Sequence, residues 1–262
     1  MTCDDPEKIE EAKRLAAGPL GEKLAKYPLL FSKAAFFGER PAKHKSTYVR
    51  NGTVTLVDFG TGPIAITCAH VISDYRKLLK TNERALFQLG NVEFDPLSQL
   101  IAEDKRLDLA TIRLTPTQAK AITREGEIGA CFFQPVSWPP PSLSEGDFIA
   151  FGGFPGRWRE RRAFDKLVFP SFSSGACRVA SVAEDRFACQ FERDYWVTAF
   201  DIDKREDLED LGGLSGGPAF IHRGLYWDFA GVIYEFSNDY DIMLLRPAHL
   251  FNPDGSIIGP SV

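Results

Sequence analysis

A proline-rich segment in the middle of the chain constrains the fold more than any other feature. Residues 134–142 read Gln-Pro-Val-Ser-Trp-Pro-Pro-Pro-Ser. Proline lacks the backbone N–H that a central strand must donate and favours an extended chain, so this segment is predicted to be a connector and not part of a sheet. Taken as residues 135–142, the connector separates two similar halves, residues 46–134 and residues 143–262.

Both halves consist of short β-rich runs with turn residues between them, such as Asn51-Gly52 and Gly60-Thr61-Gly62. Runs rich in β-branched and aromatic residues and bounded by such turns predict strands. Strands are predicted at 48–50, 53–57, 63–67, 85–89, 109–114, 148–151, 176–182, 187–191, 218–221 and 229–233. Within these halves, helices are predicted at 71–80 and, with Thr115 as N-cap, at 115–122. This pattern predicts a mainly β fold of two barrels or sandwiches.

The first 45 residues differ from this body and are predicted to form an α-helical extension. An Asp-Pro start at residues 5–6, followed by acidic residues, predicts a helix over 5–16. Residues 20–26 are predicted to form a second short turn of helix. We expect the extension to pack on the body through Ile9, Leu15 and Leu24.

Composition excludes several classes of function. The chain has 262 residues, 44% of them apolar, and a net charge of −5, which suits an ordinary globular protein and argues against a nucleic-acid groove. No apolar run is long enough to span a bilayer, and the N-terminus lacks the apolar region of a secretory signal, so we expect a cytoplasmic protein with no membrane partner. No metal, nucleotide or flavin motif is present, which predicts a protein without cofactor or metal.

The cysteine pattern agrees with a reducing compartment. The five cysteines are odd in number and show neither a C-x-x-C pair nor zinc-ligand spacing. We expect free, buried thiols, although Cys177 and Cys189 could face each other across a hairpin.

Three segments carry residues that can do chemistry together. His70 ends a β-rich run, Asp108 begins another, and Ser215 lies within Gly213-Leu214-Ser215-Gly216-Gly217-Pro218. Each alone has a simpler explanation: a structural histidine, an aspartate bonded to its own backbone, and a tight glycine turn. Together they supply what a serine nucleophile needs, since His70 can take the hydroxyl proton and Asp108 can orient the imidazole.

The glycines around Ser215 have a chemical reason of their own. A loop without bulky side chains lets the N–H groups of Gly213 and Ser215 converge on an oxygen that becomes negative during acyl transfer. These two N–H groups are therefore predicted to form an oxyanion hole.

The order His, Asp, Ser, in the strings TCAH, DLATIRL and GLSGGP, resembles the trypsin/chymotrypsin-like serine peptidase superfamily. The resemblance is closest to bacterial trypsin-like and HtrA-like peptidase domains without a PDZ module. Residues 146–156 are similar to the stretch that opens the second barrel in such domains, and Gly231-Val232-Ile233 is similar to the strand after the nucleophile. The resemblance covers residues 47–250. It implies two six-stranded antiparallel β-barrels, in residues 46–134 and 143–262, that hydrolyse a protein or peptide through an acyl-enzyme.

The same resemblance suggests where a substrate binds. It places Glu209 at the floor of the specificity pocket, from which we hypothesise a preference for Lys or Arg, although residues 201–210 could equally be a solvated acidic loop. Ile233, Tyr234, Glu235 and Phe236 are expected to form the edge that pairs with the substrate backbone. Leu214 replaces the aspartate of secreted digestive relatives, so activation by a newly cleaved N-terminus is not expected.

Two other interpretations are compatible with part of the sequence. The string G-x-S-x-G also occurs at the nucleophile elbow of α/β-hydrolase esterases, and Ser215, Asp239 and His249 follow the chain order of their triad. That fold, however, needs alternating strands and helices. The chain could also be a catalytically silent binding module with a protease fold.

Overall fold

The computed structural model describes residues 14, 18–39, 49–124, 129–163, 166–190, 196–199, 211–224, 226–237 and 240–259. Most of the helix predicted over 5–16 and the predicted pocket residue Glu209 lie outside these residues. The described part is mainly β. Its helices are α1 (Pro19–Lys26), α2 (Ala69–Thr81) and α3 (Pro116–Thr123).

The strands fall into two large sheets and one small hairpin. They are β1 (Ser32–Glu39), β2 (Val49–Asp58), β3 (Pro63–Thr67), β4 (Ala85–Leu89), β5 (Val92–Glu93), β6 (Leu100–Asp104), β7 (Leu109–Arg113), β8 (Phe148–Gly153), β9 (Glu160–Ala163), β10 (Lys166–Val168), β11 (Ser171–Val182), β12 (Phe187–Gln190), β13 (Trp196–Ala199), β14 (Pro218–His222), β15 (Trp227–Ser237) and β16 (Ile242–Pro247).

The second half contains a closed six-stranded antiparallel barrel. Its strands run in the order β12-β16-β15-β14-β8-β11, and a β11–β12 pairing closes the ring, while β13 adds to the outer edge of β11. Phe151, Phe172, Leu214 and Met243 are among the buried side chains of its core. One of the two expected barrels is therefore present.

The first half is a sheet of seven antiparallel strands in the order β5-β4-β1-β2-β3-β7-β6. Among the described strands, no pairing joins β5 to β6, so the expected closure of this barrel is not found. Strand β1 lies within the segment that was predicted to be helical, and this is a second difference. It pairs with β2 on one edge and β4 on the other and buries Ala35 and Phe37. A short apolar run of this kind does not show by periodicity whether it is strand or helix.

Helices α2 and α3 confirm their sequence signals. Helix α3 begins with a capping box in which Thr115 and Gln118 satisfy each other's backbone N–H groups. Helix α1 confirms the predicted turn at 20–26, but Leu24 is 38% exposed and not packed as expected. Instead Tyr27 joins the N-terminal segment to the barrel, because its ring stacks on Trp227 at 4.8 Å.

The proline-rich segment crosses between the sheets without joining either. Its Trp138 indole donates to the Phe251 carbonyl (3.0 Å), and the indole ring packs edge-on against Phe59 at 4.4 Å. Of the four cysteines in the described residues, Cys68, Cys177 and Cys189 are buried free thiols as expected, whereas Cys131 is exposed. None of the described helices combines the length and apolarity needed to cross a bilayer.

Candidate active site

His70 and Asp108 form a hydrogen-bonded pair at one end of the first sheet. Asp108 Oδ2 lies 2.6 Å from His70 Nδ1, and Asp108 Oδ1 accepts from the backbone N–H of His70 at 2.8 Å. This second bond satisfies one of the N–H groups that the first turn of α2 leaves without a helical partner. The carboxylate therefore fixes both the backbone and the ring of the histidine.

Neighbouring strands bring this pair together. Thr67 of β3 pairs with Ala110 of β7, so the chain reaches His70 just after one strand and Asp108 just before the other. Asp108 has a φ of 55°, in the left-handed region that aspartate adopts more readily than most residues. A turn over residues 105–108 leads into β7, and Leu107 and Leu109 on either side of Asp108 are fully buried.

The ring geometry leaves the second nitrogen of His70 available. With Nδ1 facing the carboxylate, Nε2 points to the other side of a ring that is 48% exposed. An imidazole held in this way can accept a proton at Nε2 while the carboxylate stabilises the resulting cation.

Ser215 lies in a tight loop, which we call the nucleophile loop (residues 212–217), between Leu211 and strand β14. All six carbonyl groups of the loop accept hydrogen bonds. The donors are, in order, Gly156 N (2.6 Å), Thr53 Oγ1 (2.7 Å), Gly217 N (2.7 Å), Thr53 N (3.0 Å), Thr55 Oγ1 (2.7 Å) and Ile233 N (2.9 Å). Three of the six therefore come from strand β2 of the first sheet.

Among residues 213–217 of this loop, the N–H groups divide into two sets. Those of Leu214, Gly216 and Gly217 donate to Leu211, Ile233 and Leu214. Those of Gly213 and Ser215 donate to no protein group in the described part of the chain. Because a trans peptide directs its C=O and N–H in opposite directions, the bond from Gly156 to the Gly212 carbonyl turns the Gly213 N–H away from Gly156. The two unpaired donors belong to the residues predicted to form an oxyanion hole.

Two contacts bring the His70 end of α2 close to Ser215. A Cβ atom placed on Gly52 would lie 2.8 Å from the Val71 side chain and 3.5 Å from the Ser215 carbonyl oxygen. Cys68 donates through its thiol to the Ile233 carbonyl (3.3 Å), which also accepts from Gly216 N. His70, Asp108 and Ser215 thus lie at the same interface between sheet and barrel. Within the described residues the Ser215 hydroxyl makes no hydrogen bond, and such bonds are often incomplete before substrate binds.

The predicted substrate residues have different surroundings. The N–H and C=O of Ile233 are both used to hold the nucleophile loop, so they are not available to a substrate backbone. Tyr234 is half-buried, with the Arg246 guanidinium 4.0 Å from its ring centre. Glu235 is exposed, and Phe236 packs against the barrel core. Leu214 is buried in that core, as befits an apolar residue at this position.

Cys68, His70 and Asp108 form the one group in the described residues that is close enough to hold a metal ion, with ligand atoms within 4.8 Å of one another. Burial, followed by the negative charge of Asp108, raises the pKa of the Cys68 thiol well above its usual value. Because the thiolate is the form that binds metals, a thiol kept protonated is a poor ligand.

Sequence inspection missed the residues that hold these parts in place. Thr53 and Thr55 are fully buried, and Arg246 of β16 donates through Nε to the Leu107 carbonyl at 2.7 Å. Asn51 donates to the Phe154 carbonyl at 2.8 Å, although Asn51-Gly52 was interpreted as a turn; strand β2 runs through both residues. Alternate threonines in a strand gave a weak signal, because threonine is also common in strands with no special role.

The esterase alternative lacks its architecture here. Every described pair of named strands in the two large sheets is antiparallel, and Ser215 precedes strand β14 where the elbow needs a helix. The His249 ring lies 3.0 Å from the Glu184 carbonyl, and Asp239 lies outside the described residues.

Comparison with known proteins adds no relative. No model of a known protein family matches the chain, and no curated protein matches it significantly.

Proposed function

We propose that the chain is a serine endopeptidase of the trypsin/chymotrypsin-like type. The observation that carries the proposal is the combination of a hydrogen-bonded His70–Asp108 pair with a serine loop in which, among residues 213–217, only the N–H groups of Gly213 and Ser215 donate to no group in the described part of the chain. Base, orienting acid, nucleophile and oxyanion donors are the four parts that this reaction needs.

Each part has a defined role in the proposed reaction. Ser215 Oγ attacks the substrate carbonyl carbon while its proton passes to His70 Nε2, and the carbonyl oxygen becomes negative beside the Gly213 and Ser215 N–H groups. The C–N bond then breaks as His70 returns the proton to the leaving amine, which gives an acyl-enzyme. Water, deprotonated by His70, attacks the ester, and Ser215 regains its proton.

The path of strand β15 supports peptide binding beside this site. Its pairing with β14 reaches Val232, opposite Pro218, and the strand then continues to Ser237 paired with β16. A substrate strand that pairs with the part of β15 beyond the first residue of β14 would run past Tyr234 and Glu235 towards Ser215. The preference for Lys or Arg, based on Glu209, remains a prediction that a panel of fluorogenic peptides can test: Glu209→Ala should reduce it.

Labelling with a fluorophosphonate probe tests the proposal. The wild type should be labelled at Ser215, as mass spectrometry of the digested protein would show, and Ser215→Ala and His70→Ala should lose labelling. His249→Ala is the matched control and should keep it.

Peptide and ester substrates then separate the remaining alternatives. A wild-type protein that is folded but unlabelled would support a silent binding module and contradict the proposal. Labelling that depends on His249, with turnover of esters but not of peptides, would support an esterase. Turnover of both substrates that is lost in His70→Ala is the result we expect.

A further inference from the structure

Strand β2 of the first sheet presents a row of polar side chains to the nucleophile loop, which belongs to the second half of the chain. Side chains two residues apart lie on the same face of a strand, and Thr53 and Thr55 are both fully buried there. Their hydroxyls donate to the carbonyls of Gly213 and Gly216, both at 2.7 Å. The first sheet thus reaches across the interface into the second half's loop.

Thr53 makes three hydrogen bonds at this interface. Its hydroxyl accepts from Phe154 N at 2.9 Å and donates to the Gly213 carbonyl, while its own N–H donates to the Ser215 carbonyl at 3.0 Å. A hydroxyl has one proton to donate, and a backbone N–H cannot accept. The proton of Thr53 is therefore committed to Gly213.

The two residues that Thr53 holds are the two whose N–H groups are unpaired. Thr53 binds the carbonyls of Gly213 and Ser215, and among residues 213–217 only the N–H groups of these two residues donate to no group in the described part of the chain. We propose that Thr53 is a positioning residue for the oxyanion hole: it holds the 213–214 and 215–216 peptide groups, which directly follow Gly213 and Ser215, and thereby restrains the backbone angles that direct the N–H groups of these two residues. This inference rests on the proposed peptidase function.

Gly213 itself shows how little room this arrangement leaves. Its φ is 102°, and a Cβ there would lie 2.7 Å from each of Asn51 Nδ2, Gly156 N and Phe154 O. Phe154, which is bonded to both Thr53 and Asn51, therefore forms the wall behind the loop. A shift of the Thr53 hydroxyl would therefore move both Phe154 and the peptide group that follows Gly213.

Thr111 provides a matched control in the same sheet. It is also fully buried, and its hydroxyl donates to the carbonyl of another glycine with positive φ, Gly255, at 2.6 Å. That bond contacts neither the nucleophile loop nor the Phe154 wall. Thr53→Val and Thr111→Val thus both delete one buried hydroxyl while keeping the side chain's shape.

The test compares Thr53→Val, Thr53→Ser and Thr111→Val by kcat and KM on a peptide substrate and by affinity for a boronic acid, which forms a tetrahedral adduct with serine. We expect Thr53→Val to lower kcat by about 10- to 100-fold with a smaller change in KM, as for a displacement of about 1 Å in an active site. Boronic acid affinity should fall in parallel. Thr53→Ser should restore both, and Thr111→Val should leave both near the wild type even where it lowers the melting temperature.

A folded Thr53→Val protein with wild-type kcat and boronic acid affinity would overturn the inference. If Thr53→Val does not fold, Thr53→Cys replaces it, since a thiol of similar shape is a much weaker donor to the Gly213 carbonyl; wild-type kcat and boronic acid affinity in Thr53→Cys would then overturn the inference. A wild type without peptidase activity or boronic acid binding is a different result, because it overturns the proposed function itself.

Discussion

The His70–Asp108 pair and the nucleophile loop are held in opposite ways. The pair is local to one sheet: its residues follow and precede two strands that are bonded to each other, and its two hydrogen bonds run between the partners themselves. The loop belongs to the barrel, yet half of its carbonyl bonds come from β2 of the other sheet. One half of the site is built within a sheet, and the other is built across an interface.

This difference separates the contacts that hold the proposed base, His70, from those that hold the proposed nucleophile, Ser215. Changes within the first sheet should weaken the base without moving the serine, whereas changes at the β2 interface should displace the oxyanion donors while the pair stays intact. The interface also carries a contact in the reverse direction, since Arg246 of the barrel holds the carbonyl next to Asp108.

The largest effect is expected from Asp108→Asn. Asparagine can still accept from the His70 N–H, but its amide would donate to Nδ1 and so place the imidazole proton on Nε2, where the base must be free. In another serine peptidase this change lowers kcat by about 10⁴, and we expect a loss of at least about 10³ here. Asp58→Asn, which alters an aspartate that caps the Gly60 and Gly62 N–H groups, should leave kcat unchanged. Full activity in Asp108→Asn would show that the pair is not catalytic.

Gly216→Ala tests the interface side of the comparison. Gly216 has a φ of 90°, and a Cβ there would overlap the Thr53 carbonyl oxygen and lie 2.7 Å from Thr67 Oγ1. Left-handed backbone and steric overlap together should lower the free energy of unfolding by about 3 kcal/mol or more. Gly60→Ala is the control, because its φ is 92° but nothing lies within 4 Å of the added atom. Its cost should be only about 1–2 kcal/mol. If urea unfolding shows that Gly216→Ala and Gly60→Ala lower the free energy of unfolding by the same amount, the interface has room for the added methyl group.

Arg246→Met tests whether the position of the His70–Asp108 pair depends on contacts with the barrel. The Arg246 side chain is 8% exposed and bonds both the Leu107 carbonyl and Asp185. Losing these charged hydrogen bonds should lower the free energy of unfolding by about 2 kcal/mol. We also expect kcat to fall by about 10-fold, on the scale of small displacements in active sites. If kcat is unchanged while stability falls, Asp108 is positioned by the first sheet alone.

The sequence predicted those parts of the site that depend on local chemistry. Strand β4 begins and ends at the predicted residues, Thr115 caps α3 as expected, and His70 lies beside Asp108, while their catalytic role with Ser215 stays a prediction. Turns, helix caps and strands each depend on the types of a few neighbouring residues, and they can therefore be recognised in a single sequence.

Long-range contacts could not be recognised in this way. Thr53 and Gly213 are 160 residues apart, and Arg246 and Leu107 are 139 apart. Nothing in the local pattern of either partner indicates the other. Strand β1 was missed for a related reason, because its strand conformation depends on pairing with β2 and β4 and not on its own sequence pattern. The incomplete closure of the first sheet likewise depends on which strands meet at its two edges.

The smallest expected effect concerns the helix that carries His70. Glu103 of β6 accepts from Arg76 (2.7 and 3.1 Å) and Ser73 (3.3 Å) of α2, and the Arg76 guanidinium holds the pKa of Glu103 below its ordinary value of 4.5. A lowered carboxyl pKa in the folded state stabilises the fold above the unfolded pKa, and this contribution is lost as the pH falls through the folded pKa.

Glu103→Gln should therefore lower the free energy of unfolding by about 1 kcal/mol at pH 7, and the difference from the wild type should shrink progressively as the pH falls below the ordinary carboxyl pKa. Glu83→Gln is the control, because it removes the same charge from an exposed position just after α2. Urea unfolding at several pH values provides the measurement. A Glu103→Gln deficit that stays constant as the pH is lowered past the ordinary carboxyl pKa would contradict an ionic origin, since an ionic contribution begins to fall once the pH drops below the unfolded-state pKa. In that case the packing of α2 on β6, and not the charge of Glu103, would hold the helix that positions His70.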